Sequence, residues 1–375
     1  MKTLLIIYKF FSRGGAQRDL VRTALALQKR GAAVTVLCAE AVDPLPEGCT
    51  LQLLKVQGGS NHSRMIDFER KTGEFLQHNS FDAVLGFARM KHLDMYFAAD
   101  DCLLTRWQNK LLNFFLPRRR TFLRLERSAL QSPVIFSLTA RQERDYRRYY
   151  HTPQDKFKRM PPGIDRKYQT FERSEEVRLA VRKKYAVNED KLLFVQAAAS
   201  FRTKGVDRVL AMLGALPEGM KKRIVFIAAG DDRHRARFAK LAEMLHLEVH
   251  FPGGIDNLEE LYAAADLMIH PARNEATGTV LAEALCCGLP VLTTDRCGYA
   301  EFISSSGGGV ILPEPFTLEH WTLALQKLIA EPEHLAQCRK NIEGMYKNDF
   351  WYSRPDVIAD EVMKFAAAKQ GAEIK

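Results

Sequence analysis

The 375-residue chain has no apolar run near the roughly 18 residues that a membrane-crossing helix needs, so a spanning protein is not expected. It has no C-x-x-C pair. Its seven cysteines (38, 49, 102, 286, 287, 297 and 338) are odd in number, which points to reduced thiols of a cytosolic protein rather than a disulfide framework. There is no D-x-D after a strand in the first half, and His246, His250 and His270 lack paired ligand spacing, so no metal centre is expected. No nucleophile elbow occurs, which leaves Ser-His-Asp chemistry unsupported. Met1-Lys2-Thr3 opens into Leu4–Tyr8 without a small-residue cleavage site, and a buried first strand fits better than a signal peptide. Fixed-period repeats and low-complexity tracts are also missing.

What is present is an ordinary globular balance, 46% hydrophobic and 27% charged, over a length that suits two domains or three. The charge is uneven. Residues 1–160 hold 27 Lys and Arg against 15 Asp and Glu, a net of +12, whereas the remainder has 28 against 30, a net of −2. A basic N-terminal half favours an anionic partner: a membrane surface, a phosphorylated substrate or nucleic acid.

Short apolar runs alternate with amphipathic stretches. Leu4–Tyr8, Val34–Ala39, Leu51–Val56, Ala83–Phe87 and Val134–Leu138 form one set. Leu192–Ala199, Ile224–Ala229, Val249–Phe251, Leu267–His270 and Val291–Thr294 form a second. Nearly continuous apolar strands separated by helical periodicity, as in Gln17–Arg30, Val206–Leu216 and Val280–Cys287, predict parallel sheets covered on both faces. Two such sets predict two doubly wound α/β domains. The seam is expected at Pro161-Pro162-Gly163, giving domains over 1–163 and 164–350, and a helical tail over 351–375 that crosses back to the first domain. Ligands are expected at the carboxyl ends of the strands, in the cleft between the domains.

Three stretches carry chemistry. Gly14-Gly15 separates the first strand from a helix that begins Ala16-Gln17-Arg18-Asp19. It reads either as a close approach to an anionic ligand or as a tight turn, since the full G-x-G-x-x-G spacing is absent. Phe201-Arg202-Thr203-Lys204-Gly205-Val206-Asp207 follows the first strand of the second set, and its cations suit either a diphosphate clamp or a solvated basic turn. The strongest signal runs from Glu275 to Glu283 across Ala276, Thr277, Gly278 and Thr279. These small residues expose backbone N–H groups at a helix start, where a phosphate binds, while the flanking carboxylates can accept sugar hydroxyls. Glu283 sits among Leu281, Ala282, Ala284 and Leu285, and an acid on so apolar a face needs a buried partner.

In this order, the three stretches resemble the retaining glycosyltransferases of family four, which have the GT-B fold of two facing Rossmann-like domains. Further stretches resemble the branch of that family that builds the lipopolysaccharide core. These are Tyr8-Lys9-Phe10, Asp94 through Asp100, Pro161-Pro162-Gly163-Ile164, Lys204 through Arg208, and Cys297-Gly298-Tyr299-Ala300. The likeness reaches to about Phe316 and weakens in the tail. It implies metal-independent transfer of glucose from UDP-glucose to a heptose of the lipopolysaccharide inner core, with no cofactor. It also implies roles: Glu283 on the nucleotide ribose, Glu275 beside the transferred sugar, Lys204 on the diphosphate, Arg166 facing the nucleotide, and Gly15 and Asp19 in the loop over the donor. The family places an arginine immediately before the lysine. Here Thr203 stands there, and the arginine is Arg202. Asp100 occupies the position near the sugar where many relatives carry histidine.

Leu103–Leu130 interleaves arginines with aromatic and aliphatic residues. Arg106, Trp107, Lys110, Phe114, Phe115, Arg118, Arg119 and Arg120 are expected to face an anionic leaflet, placing a cytoplasmic protein peripherally on the inner membrane. Nucleic-acid binding and plain core packing are the competing readings of this segment. For the whole chain the alternatives are a UDP-sugar 2-epimerase of the same fold, a hexosyltransferase using another UDP-sugar, and a non-catalytic binding protein.

Overall fold

The computed structural model describes residues 1–11, 14–107 and 116–373. The chain forms two units, Met1–Gly163 with Tyr352–Lys375, and Ile164–Trp351. Each is built on an all-parallel sheet.

The strands, in chain order, are β1 (Lys2–Ile6), β2 (Lys9–Phe10), β3 (Ala33–Cys38), β4 (Glu40–Ala41), β5 (Thr50–Leu53), β6 (Ala83–Gly86), β7 (Met95–Phe97), β8 (Val134–Ser137) and β9 (Phe157–Arg159) in the first unit. The second holds β10 (Leu192–Ala197), β11 (Ile224–Ala229), β12 (Glu248–Gly253), β13 (Leu267–His270), β14 (Val291–Thr294) and β15 (Gly309–Leu312). The sheet orders are β5-β3-β1-β6-β7-β8-β9 and β12-β11-β10-β13-β14-β15, with a two-stranded β2-β4 ladder beside the first. Each is the doubly wound order of a Rossmann-like domain, and each reverses direction once: between β1 and β6, and between β10 and β13. These reversals part the loops that follow the two strands and so open a crevice at their carboxyl ends.

The interior strands are apolar throughout because helices cover both faces. All six residues of β11 are buried, as are all four of β6, β13 and β14. One core cluster gathers Leu5, Leu20, Ala24, Leu27, Val36 and Leu85, together with Ile358, Ala359, Val362 and Ala366 from the last helix, Arg354–Glu373. That helix lies on the helix Gly15–Lys29 and on β6. It is fixed there by Arg30, which pairs with Asp356 at 3.1 Å and Asp360 at 2.7 Å. Phe68, Tyr96, Ile135 and Tyr146 build the core on the other face of the same sheet. In the second unit Phe194, Phe226, Leu292 and the fully buried Trp321 share one core.

The basic segment needs one correction. The helix Pro117–Ala129 exposes Arg118 and Arg120, but Arg119 is buried. At 100° per residue Arg119 and Glu126 lie two turns apart on one stripe, and that stripe packs inward with Leu125 and Ala129. Arg119 therefore does not face a leaflet. Lys110, Phe114 and Phe115 lie outside the described residues, as do the side chains of Arg106 and Trp107. Among the described residues, no helix is long and apolar enough to cross a membrane.

Candidate active site

In the second unit the reversal between β10 and β13 brings together two loops that are distant in sequence. The short helix Phe201–Lys204 follows β10 and ends on Gly205, whose φ is +82°. A Cβ there would stand 2.2 Å from the Pro271 carbonyl oxygen, so only glycine lets the two loops close. Arg273 locks them: its backbone N–H donates to the Thr203 carbonyl at 2.9 Å, and its guanidinium holds both Asp207 oxygens at 2.7 Å. Arg208 adds a bond to the Pro271 carbonyl at 3.1 Å and an ion pair with Glu314.

This clamp seats Lys204 on Glu275 in a direct ion pair. His270, the last residue of β13 and fully buried, sits with Nε2 3.5 Å from the same carboxylate. Burial on its own would raise the Glu275 carboxyl, but His270 and Lys204 outweigh it and hold the group at about 2. Glu275 is thus an anion throughout the physiological range. Its backbone bridges Cys297 and its carbonyl accepts from Gly298 N at 3.2 Å, which ties the loop to the turn after β14.

Beyond Glu275 the chain passes half-buried Ala276 and reaches Gly278, at φ +80°, which starts the helix Thr279–Cys286. Glu283 is buried on that helix, 7% exposed, as its apolar flanks require. Its charge reaches two tyrosines: burial first, and Glu283 second, push the Tyr168 and Tyr262 hydroxyls far above their ordinary range. Arg202 is exposed on the short helix before Gly205, one residue removed from the Thr203 hydroxyl that accepts from Ser200 at 3.0 Å. Arg166 is exposed and pairs with Asp349 at 3.0 Å.

In the first unit the reversal lies between β1 and β6. Gly14 caps the helix Gly15–Lys29 and Gly15 faces open space. Asp19, on that helix, is held by the buried Arg354 guanidinium at 3.0 Å, which also donates to the Pro161 carbonyl at 2.9 Å. Asp100 follows β7 and is exposed; Arg89, from the loop after β6, holds it at 3.1 Å. The same guanidinium reaches Glu126 at 3.1 Å and the Asp101 carbonyl at 3.1 Å. Glu126 has no exposed surface. Burial pushes its carboxyl up, against the opposing pull of Arg89, the Tyr150 hydroxyl at 2.5 Å and Leu103 N at 3.0 Å. A buried hub therefore joins the Asp100 loop to the basic helix.

The expected residues fall into two groups, one in each unit. Lys204, Glu275, Ala276, Gly278, Thr279, Glu283, Arg202 and Arg166 belong to the second unit, and Gly15, Asp19 and Asp100 to the first. Only weak signals in the sequence mark the site roles of Arg89, Arg273 and His270. Arg273 was visible only as a lone cation before Asn274-Glu275, since its partner Asp207 lies in another motif. His270 had a signal, a polar residue closing an apolar strand just before the glutamate loop, but it had been weighed only as a metal ligand.

Residues 177–345 match the family Glycosyl transferases group 1. The chain is 35% identical over 363 residues to the Lipopolysaccharide glucosyltransferase WaaG of Escherichia coli (strain K12), covering 94% of this chain and 96% of that one. A crystal structure of WaaG, a glycosyltransferase involved in lipopolysaccharide biosynthesis, superposes with a TM-score of 0.85 at 34% identity, covering 96% of this chain and 99% of that one. Anabaena Alr3699/HepE in complex with UDP and glucose shares the fold, with a TM-score of 0.74 at 16% identity over 97% of this chain and 99% of that one. With near full-length likeness in sequence and fold, and the paired glutamates seated where a doubly wound sheet opens, the chain belongs to the group 1 glycosyltransferases of GT-B fold.

Proposed function

We propose that the protein transfers glucose from UDP-glucose, with retention of configuration, to a heptose of the lipopolysaccharide inner core. The observation that carries this reading is the Lys204–Glu275 pair at the β10/β13 reversal, with Glu283 buried on the helix that follows, in a chain 35% identical to a lipopolysaccharide glucosyltransferase over nearly its whole length.

Each side chain then has a task. Glu283 accepts the ribose hydroxyls, and backbone N–H groups from Gly278 and Thr279 face the diphosphate at a helix start. Lys204 leaves Glu275 for the diphosphate, and Arg202 adds a second cation, so charge on the departing UDP is met by fixed positive groups without a metal ion. Arg166 serves the nucleotide, and Gly15 and Asp19 belong to the segment that covers the donor. Glu275, anionic at neutral pH, receives hydroxyls of the transferred glucose. Retention follows either of two routes. In one, the acceptor oxygen attacks the face that UDP leaves, and the departing phosphate takes the acceptor proton. In the other, Asp100, held by Arg89, displaces UDP from the anomeric carbon to form a glycosyl ester, and the acceptor oxygen then displaces Asp100, whose released carboxylate takes the acceptor proton.

The protein works as a peripheral protein on the cytoplasmic leaflet of the inner membrane. Exposed Arg118 and Arg120, beside the exposed Leu116, support that attachment. Incubation with radiolabelled UDP-glucose and heptose-terminated lipopolysaccharide tests the proposal. Label is expected in the lipid. Label confined to UDP-sugars would overturn transfer in favour of epimerisation, and transfer only from another UDP-hexose would overturn the choice of glucose.

A further inference from the structure

His270 is buried on every side, yet among the described residues neither ring nitrogen has a hydrogen-bond partner. An imidazole at the end of an interior strand desolvates two polar atoms, which an apolar residue there would avoid, and native proteins seldom leave such atoms unpaired. The backbone that carries the ring is nevertheless held in place. The His270 carbonyl accepts from the Thr293 hydroxyl at 3.0 Å and from Ala272 N at 2.9 Å. Thr293 in turn lies 3.3 Å from the Cys297 sulfur, and Cys297 is the residue whose backbone bridges Glu275. The backbone carrying His270 and the chain carrying Glu275 are therefore anchored to the same turn. The Nε2–Glu275 distance of 3.5 Å exceeds a formed N–H···O bond by about half an ångström.

What occupies the carboxylate meanwhile is Lys204. A compact ammonium on a flexible stem moves readily between two anions. A diphosphate carries more charge than one carboxylate and draws the ammonium toward itself. We propose that His270 is a positioning residue for glycosyl transfer: when Lys204 turns to the nucleotide diphosphate, the His270 Nε2–H closes on Glu275 and fixes its carboxylate against the transferred sugar. The inference rests on the donor-site reading above. The low Glu275 carboxyl, to which His270 contributes, is in keeping with a ring already aimed at the anion.

H270F removes the donor while keeping an aromatic ring of similar size, and H270Q restores an N–H of comparable reach. Both are compared with the wild type by UDP calorimetry, thermal unfolding, and steady-state turnover with UDP-glucose and heptose-terminated lipopolysaccharide. H270F should lose at least about tenfold in kcat, as expected for one hydrogen bond to a charged group, with UDP affinity within about twofold. H270Q should recover most of that loss. Wild-type kcat in H270F, failure of H270Q to rescue, or a loss confined to KM or UDP affinity would each overturn the proposal. A wild type without transfer activity would instead refute the transferase reading. In that case, 15N resonances of the His270 ring with and without saturating UDP decide the handover. A stronger Nε2–H hydrogen bond on UDP addition supports it, and an unchanged resonance overturns it.

Discussion

Replacing Lys204 by methionine keeps the aliphatic stem and removes the ammonium that lies on Glu275. Two unit charges about 4 Å apart at an effective dielectric of about 20 interact by about 4 kcal/mol. At about 1.4 kcal/mol per pH unit this is worth about 3 units, which moves the Glu275 carboxyl from about 2 to about 5. The sign for stability follows. A carboxyl held below its ordinary value of 4.5 contributes stability that is fully present above 4.5 and lost as pH falls toward 2. In Lys204→Met that contribution is gone, because folded and unfolded chains then take up the proton over the same range. Titrating the Glu275 side-chain carboxyl by 13C NMR, from about pH 7 downward, measures the midpoint directly. A midpoint that stays below about 3 in the variant would refute the reasoning and leave His270 as the source of the low value. Near pH 7.5 Glu275 is ionised in both proteins. Lost turnover there, expected at roughly 10- to 100-fold for a charged hydrogen bond, reports the missing phosphate contact and not a protonated glutamate.

Glu283→Ala should weaken UDP binding by about 1.5–3 kcal/mol through loss of a charged acceptor for the ribose; unchanged affinity by calorimetry in a folded variant would remove that assignment. Arg118→Gln with Arg120→Gln and Arg127→Gln, all exposed positions, should cost about 3 kcal/mol of binding to anionic vesicles in co-sedimentation. Raised salt should mimic the substitution, and indifference of the wild type to anionic lipid would end the membrane reading. Arg119→Gln, at a buried position, should lower the unfolding temperature and leave vesicle binding nearly unchanged. Arg354→Ala strands a partly buried Asp19 and the Pro161 carbonyl and should cost about 3–5 kcal/mol in urea unfolding; a midpoint equal to that of the wild type would show that the pair is dispensable.

The doubly wound architecture was legible because β1, β3, β6, β10, β11, β13 and β14 are interior strands, covered on both faces and so written as nearly continuous apolar runs. The strands that escaped notice are too short, too exposed or too glycine-rich to show such a run. β9 reads Phe-Lys-Arg because it is an edge with two exposed residues. β7 has only three residues, too few to show a period. β15 emerges from Gly307-Gly308-Gly309, which looks like a loop. Gly309 is nevertheless forced, because a Cβ there would meet the Val291 carbonyl oxygen at 1.9 Å. The site divides in the same way. Glu283 announced its burial through its apolar neighbours on one helix. The meeting of Lys204 with Glu275 spans 71 residues, and that of Arg89 with Glu126 spans 37, so only strand order brings them together. Arg119 was misjudged because three consecutive arginines look like one patch, whereas a helix distributes them around its axis.

The first unit is completed by residues that follow the whole of the second in the chain. Until residues 354–373 leave the ribosome, the helix Gly15–Lys29 and β6 lack the cover supplied by Ile358, Ala359, Val362 and Ala366, while every strand of the second unit has already been synthesised. The second unit can therefore close before the first is complete, against the usual N-to-C order, and the earlier unit lacks cover for that apolar seam until then. A nonsense codon late in the message would then damage the half of the protein encoded first.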